Sequence, residues 1–159
     1  MDILIIEDEI LAAERLQTLI KNYDSSIRMV ACLDSIEESV QWLQTKPSPD
    51  LLLVDIHLSD GHSFEIFKRV QFLKPVIFTT AYDNYALDAF KLFSIDYILK
   101  PITAEALGAA LNKYKNIANT IAAGNYSLLS DQVKENFGNR YKNRFLAKVG
   151  QRSFFLQAN

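Results

Sequence analysis

The sequence predicts an α/β fold: one doubly wound, five-stranded parallel sheet between helices, a three-layer α/β/α sandwich. Two observations predict the class. Short apolar runs alternate with stretches of helical periodicity in five successive units, the pattern of right-handed crossovers. The runs are also nearly continuous in apolar residues, as strands buried on both faces must be. A third observation sets the order. The unit count and the length of 159 residues, enough for one domain and an appendage, favour the flavodoxin-like strand order 2-1-3-4-5.

The elements follow in order. Strands are expected at Asp2–Ile6, Ile27–Leu33, Leu51–Val54, Val76–Thr79 and Tyr97–Leu99. After the first strand, Ala12, Leu16, Leu19, Ile20 and Tyr23 recur at i, i+4, i+7, i+8 and i+11, one helical stripe. Ser35 can N-cap a second helix with Ile36, Val40 and Leu43 inward, and Pro47 and Pro49 end it. A third helix is expected from Gly61 to about Leu73, and a short fourth over Asn84–Phe90. Thr103 caps a fifth, whose inner face carries Leu107, Leu111, Tyr114 and Ala118. Residues 121–142 read as a linker. Two further strands, RFLAKVG and QRSFFLQ, then meet at a Gly150-Gln151 break suited to a hairpin. Two strands alone do not make a stable domain.

Composition narrows the class. Mean hydropathy is near zero, and no apolar run approaches the ~20 residues that span a bilayer. The start, MDILIIEDE, lacks a basic segment and is not expected to be a signal peptide. A single cysteine, Cys32, excludes an internal disulfide framework and makes the cytoplasm the expected address. Its apolar neighbours suggest a buried, inert thiol. Charge is uneven: residues 1–123 carry a net −6 and residues 124–159 a net +4. An acidic body with a basic tail suggests two pieces with different partners.

In open parallel sheets, ligands bind beyond the carboxyl ends of the strands. At those ends stand Glu7, Asp8 and Glu9, then Asp55, then Thr79, Thr80 and Ala81, then Lys100 and Pro101. Clustered carboxylates repel, so they take up protons or recruit a cation, and hard oxygen ligands suit Mg²⁺. An aspartate can accept a phosphoryl group as an acyl phosphate, with an ammonium and a cation neutralising its oxygens. Lys100 supplies such an ammonium, and Thr80 a hydroxyl for the phosphoryl oxygens. Each residue alone has an ordinary reading: acids after strands cap helices, and threonine is a good strand former. Their joint occurrence on four strands carries the argument.

The stretches ILIIEDE, LLLVDIHLSDG, VIFTTAYD and DYILKP, in this order, resemble the receiver domains of two-component response regulators, over roughly residues 1–120. FTTAYDNYALDAFKLFSIDYILKP with the later RFLAKVGQRSFFL looks more narrowly like the LytTR class, which carries a β-rich DNA-binding domain after the receiver. The resemblance implies that Asp55 is phosphorylated by a sensor histidine kinase with Mg²⁺. Asp8, Asp55, Glu7 through water and the His57 backbone carbonyl would hold the metal. Thr80 would be the switch hydroxyl, Ala81 leaves room for the phosphoryl group, Tyr97 is the switch aromatic, and Lys100 closes the ion pair before a cis bond to Pro101. It also implies a homodimer on phosphorylation, through the face made by the fourth helix, fifth strand and fifth helix. Residues 143–159 would be the first strands of a truncated DNA-binding domain, so DNA is expected to bind only through the complete domain, in transcription regulation.

Two other classes fit the chain less well. A haloacid dehalogenase-type phosphatase places a second aspartate two residues after its nucleophile, where this chain has His57, and no lid-sized insertion follows. A receiver fold serving only as an interaction module would have lost the acidic pair, Asp55 or Lys100, and all are present. A phosphoacceptor switch rather than an enzyme is the expectation.

Overall fold

The computed structural model describes residues 1–82 and 94–122 in full, and the backbone of residues 145–149 and 152–156. The expected fourth helix, Asn84–Phe90, lies outside the described residues. The elements are β1 (Asp2–Ile6), α1 (Ile10–Tyr23), β2 (Arg28–Leu33), α2 (Ile36–Thr45), β3 (Leu51–Asp55), β4 (His57–Leu58), β5 (Gly61–His62), α3 (Phe64–Arg69), β6 (Val76–Thr80), β7 (Ser94–Leu99), α4 (Ala104–Ala122), β8 (Phe145–Val149) and β9 (Arg152–Leu156).

The main sheet runs β2-β1-β3-β6-β7 and every pairing in it is parallel. Numbered among themselves, its strands run 2-1-3-4-5, as expected. The central strands explain why. Ile3 to Ile6 and Leu51 to Val54 are fully buried, so both faces of β1 and β3 require cover. On one face Leu4, Ile6, Leu52, Val54 and Phe78 pack with Ile36 and Val40 of α2 and Ile66 of α3. The alternate residues Ile3, Ile5, Leu51, Leu53 and Ile77 point to the other face and are equally buried. α1 and α4 neighbour each other, joined where the Tyr23 hydroxyl donates to Asn112 Oδ1 at 2.6 Å.

Thr103 caps α4 as expected, accepting the Ala106 N–H at 3.1 Å. Ser35 does not act as expected. It holds the extended cap conformation, but its hydroxyl makes no cap bond. The Ile36 N–H donates instead to Asp60 Oδ2 at 2.8 Å, so a carboxylate from a distant loop caps α2. The third helix is shorter than the expected Gly61–Leu73 and spans only Phe64–Arg69. Ahead of it β4 and β5 form a small antiparallel ribbon with His57 opposite His62. Gly61 turns that ribbon at φ +138°, and a Cβ there would meet Ile36 Cδ1 at 3.3 Å.

Other differences are local. Ala13, rather than Ala12, joins Leu16 and Ile20 as the buried residues of α1. The strand expected at Tyr97–Leu99 begins earlier, at Ser94. Cys32 is exposed, not buried. It lies on β2, an edge strand with one neighbour, so an apolar run there does not imply full cover.

The chain divides into two compact units, Met1–Asn112 and Lys113–Asn159. In the second, β8 and β9 pair antiparallel with Val149 opposite Arg152, the hairpin expected there. Among the described residues, no helix is long and apolar enough to cross a membrane.

Candidate functional site

The residues singled out at the strand ends gather at one rim. Parallel pairing puts the carboxyl ends of β1, β3, β6 and β7 on the same edge. Glu7 follows β1, with its N–H donating to the Leu33 carbonyl at 2.9 Å. Asp55 ends β3 beside Thr79, and Thr80 ends β6 beside Leu99. The Lys100 N–H donates to the Thr80 carbonyl at 2.7 Å, which carries the β6–β7 register one residue past the strand end. The Lys100–Pro101 bond is cis, as the resemblance implied.

The side chains then meet. Lys100 Nζ donates to Asp55 Oδ2 at 2.5 Å and to Glu7 Oε1 at 2.8 Å. The second Asp55 oxygen, Oδ1, accepts the His57 N–H at 3.1 Å. One oxygen from each of Glu7, Asp8 and Asp55 lies within 4.8 Å of the others. Glu7 and Asp55 are buried, at 3% and 6% exposure, whereas Asp8 is half-buried. Three carboxylates and one ammonium leave a surplus of negative charge.

Burial and the neighbouring charges together set the protonation of the site. Burial pushes the Glu7 carboxyl up to about 7, opposed by the Lys100 hydrogen bond and assisted by the Asp55 charge. Burial works against the Lys100 ammonium too, yet its bonds to Asp55 and Glu7 outweigh it and raise its pKa. Glu7 binds its proton more tightly folded than unfolded, so its contribution is fully present below about 4.5 and is lost as pH rises through about 7. We expect the metal-free protein to lose stability over that window with a slope of at most about 1.4 kcal/mol per pH unit. Urea titrations across the window should show this slope in the parent and a flatter one in Glu7→Gln. Equal slopes would mean that Glu7 is charged throughout.

The donor set fits a hard divalent cation. Glu7 Oε2 is buried without a hydrogen-bond partner, an expensive state for a carboxylate oxygen unless a cation meets it. All the side-chain donors are carboxylate oxygens, which suits Mg²⁺ better than a softer metal.

The two threonines of β6 separate. Both are fully buried, but the Thr79 hydroxyl has no hydrogen-bond partner, while Thr80 Oγ1 accepts the Tyr82 N–H at 3.2 Å. The Tyr97 hydroxyl donates to the Tyr82 carbonyl, so Tyr82 connects Thr80 to Tyr97 through its own backbone. Ala81, between them in sequence, is exposed.

Three neighbours of the site escaped sequence reasoning. Tyr82 offered a weak signal, its place two residues after Thr80. Asp60 and His62 offered none, because their partners Ile36 and His57 become neighbours only when the ribbon folds.

Residues 3–112 match the family model described as response regulator receiver domain. The sensory transduction protein LytT of Bacillus anthracis is 36% identical over 118 residues, 72% of this chain and 47% of that protein. The positive alginate biosynthesis regulatory protein of Pseudomonas aeruginosa is 33% identical over 116 residues, 71% of this chain and 46% of that protein. The chain thus spans about half the length of the curated relatives it matches. Among solved structures, the response regulatory domain of protein mrkE from Klebsiella pneumoniae aligns with a TM-score of 0.67 at 28% identity, covering 74% of this chain and 97% of that one.

Proposed function

Because this chain belongs to the response regulator receiver domain family, we propose that it is a phosphorylation switch in which Asp55 accepts a phosphoryl group from a sensor histidine kinase. One observation carries the reading: Asp55 Oδ2 lies 2.5 Å from the Lys100 ammonium, with the Glu7 and Asp8 carboxylates alongside. A carboxylate oxygen of Asp55 attacks phosphorus while the bond from phosphorus to the donor imidazole breaks, leaving an acyl phosphate on Asp55. Asp8, Asp55, the His57 carbonyl and, through water, Glu7 would hold Mg²⁺, which when bound would neutralise phosphoryl charge. The Lys100 ammonium, already against Asp55, follows the charge onto a phosphoryl oxygen. Its flexible stem suits that short movement.

The direct test is intact-mass spectrometry after incubation with acetyl phosphate and Mg²⁺, with a gain of one phosphoryl group expected. Lys100→Met keeps the length of the side chain and removes the charge. It should slow uptake by roughly 10²–10³-fold, as loss of one preorganised charge partner commonly does. A mass time course within twofold of the parent would remove Lys100 from the mechanism.

Phosphorylation adds charge and acceptor oxygens, which draw the Thr80 hydroxyl toward the phosphoryl group. Ala81 leaves space for that group, and Tyr97 gives up its bond to the Tyr82 carbonyl and turns inward. The surface formed by the expected fourth helix, β7 and α4 then favours a second receiver. Moving such an equilibrium from 1:99 to 99:1 takes about 5.5 kcal/mol of differential interaction. Sedimentation after fluoroberyllate and Mg²⁺ treatment should show more dimer, and an unchanged distribution would reject the dimer.

In this reading residues 1–120 are the receiver, 121–142 a linker, and 143–159 the opening strands of a LytTR-type DNA-binding domain that regulates transcription from the cytoplasm. The β8–β9 hairpin supports it. Specific DNA binding requires the whole domain, so mobility shifts with this chain should show none; a sequence-selective shift at sub-micromolar protein would overturn that point.

A further inference from the structure

We propose that His57 and His62 form a two-imidazole site for a transition-metal cation of the Zn²⁺ class, separate from the carboxylate rim. The chain has two histidines in 159 residues, and folding sets them side by side. They stand opposite each other on β4 and β5, so their side chains leave the same face of the ribbon. Their ring centroids lie 4.7 Å apart with planes inclined at 62°. Neither imidazole has a part in the chemistry proposed at Asp55, where His57 acts through its backbone.

The separation suits a shared ion. With metal–nitrogen bonds of about 2.0–2.1 Å, the centroid of a bound imidazole lies roughly 3.2 Å from the metal. Two such rings meeting at roughly 90–110° then stand about 4.5–5.2 Å apart, a range that contains the observed distance. Chelation also needs one nitrogen of each ring to face a common point. The exposed His62 ring can turn to meet this need about its last torsion, which is soft for an imidazole. His57, half-buried and flanked by the Tyr82 ring at 5.0 Å, is the fixed member of the pair.

The backbone beneath the pair is held in advance. Asp60 accepts the Ile36 N–H, Gly61 abuts Ile36, and the Ser63 N–H donates to the Ile56 carbonyl at 2.9 Å. A pinned ribbon loses little freedom on binding, which favours a site with two protein ligands. Water would complete the coordination. The donor type separates this site from its neighbour. Imidazole nitrogen suits Zn²⁺, Ni²⁺ and Cu²⁺, whereas the carboxylates of Glu7, Asp8 and Asp55 suit Mg²⁺. An ion joining β4 to β5 also cross-links a ribbon too short to be stable alone, so binding stabilises the fold.

Zn²⁺ titrated calorimetrically into the full chain, with Mg²⁺ in excess to occupy the carboxylates, should bind at one ion per chain. His62→Ala should weaken that binding by about tenfold or more, because the second imidazole meets an ion already held beside it. Asp8→Asn, which alters the rim and spares the ribbon, should bind Zn²⁺ within twofold of the parent. Under the same conditions Zn²⁺ should raise the thermal midpoint of the parent and leave that of His62→Ala unchanged. No Zn²⁺ binding by the parent, a His62→Ala affinity within twofold of the parent, or an equal loss in Asp8→Asn would overturn the site. Each of these outcomes leaves phosphoryl uptake by Asp55 standing, which the mass measurement decides separately.

Discussion

Asp55→Ala should take up no phosphoryl group under conditions in which the parent takes up one. Glu7 and Asp8 do not substitute for it. Glu7 is buried, hydrogen-bonded to Lys100, and driven toward its protonated form by burial and by the Asp55 charge. Asp8 shares the cluster but has no ammonium bond there among those that Lys100 makes. Asp55 has one oxygen held by a backbone N–H and the other at the Lys100 ammonium. The variant should remain folded. Lys100 keeps Glu7 as a partner at 2.8 Å, and removing one of three crowded carboxylates relieves repulsion. Intact mass after acetyl phosphate treatment gives the answer, with circular dichroism to establish folding. A full phosphoryl gain in folded Asp55→Ala would place the chemistry on another residue.

Phe78→Ala should cost about 3–5 kcal/mol of folding stability, the range for truncating a fully buried aromatic. Phe78 has no exposed surface and meets Phe64 and Phe67 edge-on, with ring centroids 5.3 and 5.8 Å away. Its removal opens a cavity where β6 faces α3, and side chains attached to a continuous strand and a short helix collapse into it only in part. Against a typical total of about 5–15 kcal/mol, the variant would be marginal at best. Urea unfolding should register the change as a lower midpoint with a similar slope. A loss under about 1 kcal/mol would mean that Phe64 and Phe67 refill the space. Phe78 precedes Thr80 by two residues on the same strand, so the cavity also loosens support under the proposed switch hydroxyl.

Much of the site was legible along the chain because it occupies repeated grammatical positions. Apolar runs such as LLLVD end in a polar residue where the strand leaves the core, and parallel topology brings those ends together. Glu7, Asp55, Thr80 and Lys100 could therefore be named before any distance was known. Thr80 stands immediately before Ala81, and its hydroxyl, unlike that of Thr79, is bonded, through the Tyr82 N–H. The misreadings share a cause as well. Adjacent residues suggest a Ser35 cap, a longer third helix and a buried Cys32, and residues far along the chain decide each otherwise.

By itself the sequence determined the layered fold, the order of its strands and the identity of the rim residues, because hydrophobic period and strand termini are local properties written in the order of side chains. Tertiary structure decided that Asp60 caps α2, that Cys32 lies at an edge, that His62 meets His57, and that Glu7 carries a raised pKa. Those outcomes depend on desolvation and on partners dozens of residues away or across a turn, which exist only once the chain has closed on itself.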